Sequence, residues 1–268
     1  MKLVSTVRLP PQLDAAVEAL VDSAGMSAAE ARMRLAPEPP ALLARVPPER
    51  ATELVAALGR AGLVALAIDQ TVPSDADRFQ ARSFAFQDGG AIFTSRSGET
   101  LGLAWNEVQL VLRGIRISRT STTHTETSRA FSMGRAVLTG GLVMTKKTSS
   151  TVRDSQEDSE QFVLVHGSGG ERVILAEKAL EFSGLGPLLQ PARAANLGVV
   201  AQELKRWAPA AFHDDRLVRL GRRSLPFVLG AEHVVRAAGA EIRRAETRSS
   251  VDVLAEVLDA AVRAGLLG

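Results

Sequence analysis

Three stretches of the 268-residue chain carry residue types able to do chemistry. His166-Gly167-Ser168-Gly169-Gly170 sets an imidazole two residues from a hydroxyl among glycines, the raw material of an acyl-transfer nucleophile. A nucleophile elbow needs glycine two before and two after the serine in a strand-to-helix turn, and position 166 is His. Strand-like runs, Gln161–Val165 and Arg172–Ala176, flank the glycines, so a hairpin turn accounts for them. Gly141-Leu142-Val143-Met144-Thr145-Lys146-Lys147-Thr148 departs from a phosphate-binding loop at Lys146. That position requires a glycine so that backbone N–H groups can turn toward the phosphates, and the segment reads as an ordinary strand end. His213-Asp214-Asp215 offers three metal-ligand types, but neighbouring side chains rarely converge on one ion. His124, His166 and His233 show no H-x-x-x-H spacing, and a helix start with Asp214 or Asp215 capping the turn before Leu217 is simpler. Glu157-Asp158 lies in a polar run with nothing apolar to raise a carboxyl pKa for acid–base work. No catalytic residue, metal site or cofactor is therefore expected.

Composition narrows the partners. Lys and Arg number 32 against 30 Asp and Glu, a formal charge of +2, so overall charge selects none. Cysteine is absent, which excludes disulfides, thiolate catalysis and Cys-ligated metal. Aromatic residues make up only 4%, which argues against base-stacking platforms and nucleic acid. No secretory pattern and no run of about 18 apolar residues is present, so the expectation is a cytoplasmic protein.

Charge is concentrated in one place. Arg113, Arg116, Arg119, Arg129, Arg135, Lys146, Lys147 and Arg153 stand against a single acid, Glu126, before the acidic run Asp154, Glu157, Asp158 and Glu160. Ser118–Ser128 between them is mostly Ser and Thr. One reading is a basic loop or long hairpin that attracts anionic lipid head groups or another polyanion, with Arg113, Arg116, Arg119, Arg129, Arg135, Lys146 and Lys147 as its candidate anion-binding residues. The other is a flexible insertion whose basic half pairs with its own acidic half.

The elements that would position these groups are legible in outline. Lys2–Leu9 alternates as a half-buried strand. Pro10 and Pro11 introduce a helix with Leu13, Ala16, Val17, Leu20 and Val21 on one stripe, and Gly25 ends it. Ser27 and Glu30 form a capping box that starts a second helix, closed by Pro37, Pro39 and Pro40. A strand at Leu42–Val46, a helix opened by Pro47-Pro48-Glu49 and stopped at Gly62, and a strand at Leu63–Asp69 complete a β-α-α-β-α-β order. This order, with Ala24–Arg32, the proline-rich exit and Ala51, Leu54, Leu58, Ala61 and Gly62, resembles the C-terminal domain of the ribosomal stalk protein, whose fold is shared with the adaptor ClpS. The resemblance covers residues 1–70 and implies a protein-contact module. Asp14, Glu18 and Asp22 stand where the stalk domain carries basic residues, so its factor-binding role does not transfer.

Residues 71–81 read as a linker. Beyond it come short β-type runs at Ser83–Gln87, Ala91–Ser95, Thr100–Ala104, Val108–Ile117, Leu142–Thr145, Gln161–His166 and Glu171–Glu177, then a helix at Ala194–Trp207. Strands leading to a closing helix suggest a small barrel or sandwich. With Leu103-Ala104-Trp105-Asn106-Glu107-Val108, residues 82–208 look like a bacterial pleckstrin-homology-like domain. The runs Glu181–Gly186 and His213–Leu217 are similar to an uncharacterised bacterial family, which implies no function. Residues 209–268 read as a helical tail. Its last helix presents Val251, Leu254, Leu258 and Val262 for packing on its own chain or on a partner, while Asp252, Glu256, Asp259 and Arg263 face water. The expected whole is an α+β protein: a βααβαβ sandwich, a pleckstrin-homology-like β-domain, and that tail. The function these features favour is a non-enzymatic adaptor or scaffold for partner proteins. Binding to anionic lipid or another polyanion is the alternative, and a hydrolase or metal-dependent enzyme using His166, Ser168 or His213 the second.

Overall fold

The fold is taken from a computed structural model that describes residues 1–70, 75–131, 145–221, 230–237, 240–248 and 251–267, with side chains omitted for Ala76 and within 118–157 and 222–250. The chain divides into two compact units, one formed by residues 1–116, 160–226 and 249–268 and the other by 117–159 and 227–248.

The larger unit opens with β1 (Lys2–Arg8), α1 (Asp14–Ala24), α2 (Ala28–Leu35), β2 (Ala41–Val46), α3 (Pro48–Arg60) and β3 (Val64–Asp69). The three strands form an antiparallel sheet with β1 in the middle. Gly25 caps α1 in the left-handed conformation at φ 68°, where a side chain would be strained. Ser27 accepts the Glu30 N–H at 3.1 Å to start α2, while the Glu30 carboxylate pairs forward with Arg34. Val4, Leu43, Ala16, Leu20, Leu35, Leu54 and Leu58 close an apolar core between the helices and one sheet face. On the other face Leu3, Ser5 and Val7 are just as buried, so that face is covered too.

Next come β4 (Phe79–Gln87), β5 (Gly90–Ser95), β6 (Thr100–Ala104), β7 (Val108–Phe131), β8 (Thr145–Gly167), β9 (Arg172–Ala176), α4 (Arg193–Trp207), β10 (Phe212–Asp214) and α5 (Arg216–Leu220). Within this unit the strand order is β7-β8-β9-β4-β5-β6, with β10 parallel to β7, and the sheet does not close into a barrel. The β8–β9 connection is the glycine hairpin, in which Gly167 donates to Glu171 and Gly170 to Gly167. Alternation divides the sheet. Val111, Val163, Val165, Val173 and Leu175 pack with Leu197, Val200 and Leu204 of α4. Leu110, Leu112, Phe162, Leu164 and Ile174 point to the opposite face and are buried there as well. Gly114 lies between Phe162 and Leu217, and an added Cβ would sit 2.6 Å from the Phe162 ring.

The last helix, α6 (Val251–Arg263), explains why both inner faces are dry. It packs on β1 and β3 and bonds to β7, β8 and β9 through Arg116, His166 and Arg172. Val251, Leu254 and Leu258 are buried within the chain, as are Val253, Ala255, Val257 and Ala261, and Val262 is half-buried. Asp252 and Asp259, expected on a wet face, are also buried.

In the smaller unit, β11 (Gly230–Ala237) and β12 (Ala240–Arg248) form an antiparallel hairpin, and β12 runs antiparallel to Ser118–Glu126 of β7. Residues 230–237 and 240–248 are therefore strands where the tail was expected to be helical. Their Ala, Glu and Arg favour a helix only weakly, by tenths of a kcal/mol per residue. A long Ser- and Thr-rich partner strand offers ladder pairing that outweighs such a preference. Of the runs expected to be strands, residues 142–144 lie outside the described residues.

Candidate functional site

A dense cluster of ionisable side chains lies beneath the surface, along α6. Asp252, Glu256 and Asp259 project from one stripe of α6, at the i, i+4, i+7 spacing of a helix face. Asp252 accepts from Arg78 at 2.9 Å and from Arg116 at 3.1 Å. Arg116 also grips Asp75 through two bonds of 2.9 Å. Glu256 pairs with Arg78 and with Arg172. Asp259 receives Arg172 and both contacts of Arg263 Nε. Among the described residues, four carboxylates thus meet four guanidiniums. Burial would lower the Arg116 pKa, yet Asp252 and Asp75 outweigh it and hold the guanidinium above its ordinary value. Burial likewise works to raise Asp259. The hydrogen bond and charge of His166, followed by those of Arg263, reverse that and leave the carboxyl below 3.8.

His166 brings an imidazole, a common general base, to this cluster. It donates from Nδ1 to Asp259 Oδ1 at 2.9 Å, the geometry that orients a general base. Its side chain is fully buried, however, and Nε2 has no hydrogen-bond partner among the described residues. A base must reach substrate, and this nitrogen is sealed beneath α6. Ser168 lies outside, exposed in the hairpin turn, its N–H bound to Glu107 O at 2.8 Å. The sequence places His166 and Ser168 two residues apart, and the structure puts one inside and one outside.

A groove of about 620 Å³ opens beside that turn. Its polar lining includes Asn106, Glu107, Gln109, Ser168, Lys205 and His213. Several of its polar groups have structural duties. Glu107 Oε2 accepts the Ala104 N–H, and His213 Nε2 bonds Ala208 O at 2.8 Å. Asp214 accepts the Arg216 N–H at 2.8 Å, which starts α5, so His213 and Asp214 are fold-forming residues. Adjoining residues carry the two tryptophans of the chain. Trp105 and Trp207 stack at 5.5 Å with planes 12° apart, and Trp105 Nε1 donates to Gln87 O. No group of three His, Cys, Asp or Glu suited to a metal ion occurs among the described residues.

The candidate anion-binding residues separate into two sets. Arg116 is buried between Asp75 and Asp252, and Arg113 is half-buried and donates to Gln161 at 2.9 Å. Arg119 and Arg129 lie on β7 and Lys146 and Lys147 on β8, with side chains outside the described residues, as is Arg135 altogether. Sequence reasoning did not single out Arg78, Arg172 or Glu256 as a cluster. Its available signal was acids at i, i+4 and i+7 on a helix that is otherwise strongly apolar. No helix among the described residues is long and apolar enough to cross a membrane. Comparison with family models, curated proteins and solved structures finds no match for this chain.

Proposed function

We propose that the protein is a non-enzymatic adaptor that binds partner proteins through the groove lined by Asn106–Gln109, Lys205 and Pro209–His213. The observation that carries this reading is the separation just described. The oriented histidine is sealed under α6, and the open groove presents amide, ammonium and hydroxyl groups with no nucleophile–base pair among the described residues. Such a lining suits recognition of polar backbone and side chains rather than bond making. On this reading the stalk-like first 70 residues and the pleckstrin-homology-like residues 82–208 serve as scaffolds. A contact from α5, which follows residues 82–208, reaches the first 70 residues: Arg216 donates to Pro39 O at 3.0 Å, which supports a fixed frame for the groove.

The test is site-specific photo-crosslinking in cells. A photoreactive residue at Asn106 should capture a discrete protein, and Lys205→Glu should abolish that adduct while one at Met33, exposed on α2, captures nothing comparable. Labelling of Ser168 by a serine-directed fluorophosphonate, or no adduct from Asn106, would overturn the adaptor reading.

A further inference from the structure

In the smaller unit β11 is the outermost strand. It pairs with β12 from Gly230 to Ala237, and among the described residues no strand pairs with its other edge. A strand edge presents a row of backbone N–H and C=O groups that a second strand can take up. Proteins commonly blunt such an edge with proline, with lysine or by keeping the strand very short. β11 uses none of these devices: it has eight residues, Gly-Ala-Glu-His-Val-Val-Arg-Ala, with neither proline nor lysine among them.

We infer that β11 is a self-association edge, on which a second copy of this chain adds its own β11 antiparallel about a two-fold axis at Val234. The sequence of the strand selects this register. With the axis at Val234, Glu232 of each copy stands opposite Arg236 of the other, so that an acid faces a base twice in the dimer. By the two-residue period of a strand, Glu232, Val234 and Arg236 fall on one face. Opposite charges facing one another across an antiparallel pair favour the pairing, and like charges disfavour it. A parallel, in-register arrangement would instead set the two Glu232 side by side and likewise the two Arg236. Two antiparallel sheets, each running from β11 through β12 to β7, become one. The contact uses the same edge of both copies, so growth stops at two. The inference is independent of the partner-binding groove.

Sedimentation of the full chain and of charge variants tests this edge. The wild type should show a concentration-dependent monomer–dimer equilibrium. Glu232→Arg and Arg236→Glu, each alone, set like charges opposite one another twice per dimer and should weaken association about tenfold or more. Mixed in equal amounts, the two variants should associate with each other about as tightly as the wild type does with itself, because each again meets the opposite charge. That rescue also shows that both variants fold. A second measurement reads the axis directly. The chain has no cysteine, so Val234→Cys supplies a lone thiol at the axis, where antiparallel Cα atoms lie about 4.5–5.5 Å apart, within disulfide range. Mild oxidation should therefore give a covalent dimer. Ala231→Cys, about 20 Å from its equivalent in the second copy, should not. A wild type that stays monomeric, single variants that associate as the wild type does, a mixture no tighter than either variant, or crosslinking of Val234→Cys no greater than that of Ala231→Cys would overturn the assignment.

Discussion

Helices α3 and α6 both lie on the same three-stranded sheet, and they hold to the rest of the protein by different physics. α3 buries Ala51, Leu54 and Leu58 and leaves its other side in water, the ordinary arrangement of an amphipathic helix. α6 has no wet side through most of its length. Its apolar residues are buried, and its acids meet guanidiniums from β7, β9 and the segment before β4. The contrast teaches that an amphipathic pattern fixes which residues share a face but not what that face meets. The polar stripe of α6 faces an arginine wall, and burial then turns each carboxylate from a solubilising group into a structural one.

The largest expected effect breaks the α6 side of this contrast. Asp252→Ala leaves Arg78 and Arg116 buried without their shared carboxylate, and should cost about 3–5 kcal/mol of unfolding free energy by urea denaturation. Leu54→Ala, the matching lesion on α3, should cost about 2–5 kcal/mol, with the loss set by how far the cavity relaxes. The two differ in salt response: the Asp252 variant's deficit should change with the ion atmosphere far less than an exposed pair's would, because its partners are buried.

Acid provides a finer test. Asp259 is depressed below its unfolded value of 3.8, so its stabilising contribution is complete above that pH. It is lost as pH falls through the lower folded pKa. Wild-type stability should therefore drop steeply below about pH 4, and Asp259→Asn, less stable at neutral pH, should show a shallower acid limb. The smallest effect belongs to the surface. Arg219→Ala removes an exposed pair with Glu38 and should leave the melting temperature unchanged.

Legibility followed the same divide. The first 69 residues show the β-α-α-β-α-β order in their glycine and proline punctuation and apolar spacing, because local signals and burial agree there. The hairpin at His166–Gly170 and the helix ending at Trp207 were readable for the same reason. What stayed hidden depends on distant partners. Arg116 looked like part of a basic surface because its neighbours in sequence are basic, while Asp75 and Asp252, which neutralise it, lie 41 and 136 residues away. The strands at 230–237 and 240–248 were hidden likewise, since β12 takes its ladder from β7 and β11 takes its own from β12.

The most direct measurement of the central claim, that buried charge pairing holds α6 in place, is a double-mutant cycle on Arg116 and Asp252. Arg116→Met, Asp252→Leu and the double variant would be compared with wild type by urea unfolding. The account predicts a coupling of about 1–3 kcal/mol, with the double variant far more stable than the two single losses would sum to. Additive losses, with no coupling beyond error, would contradict it.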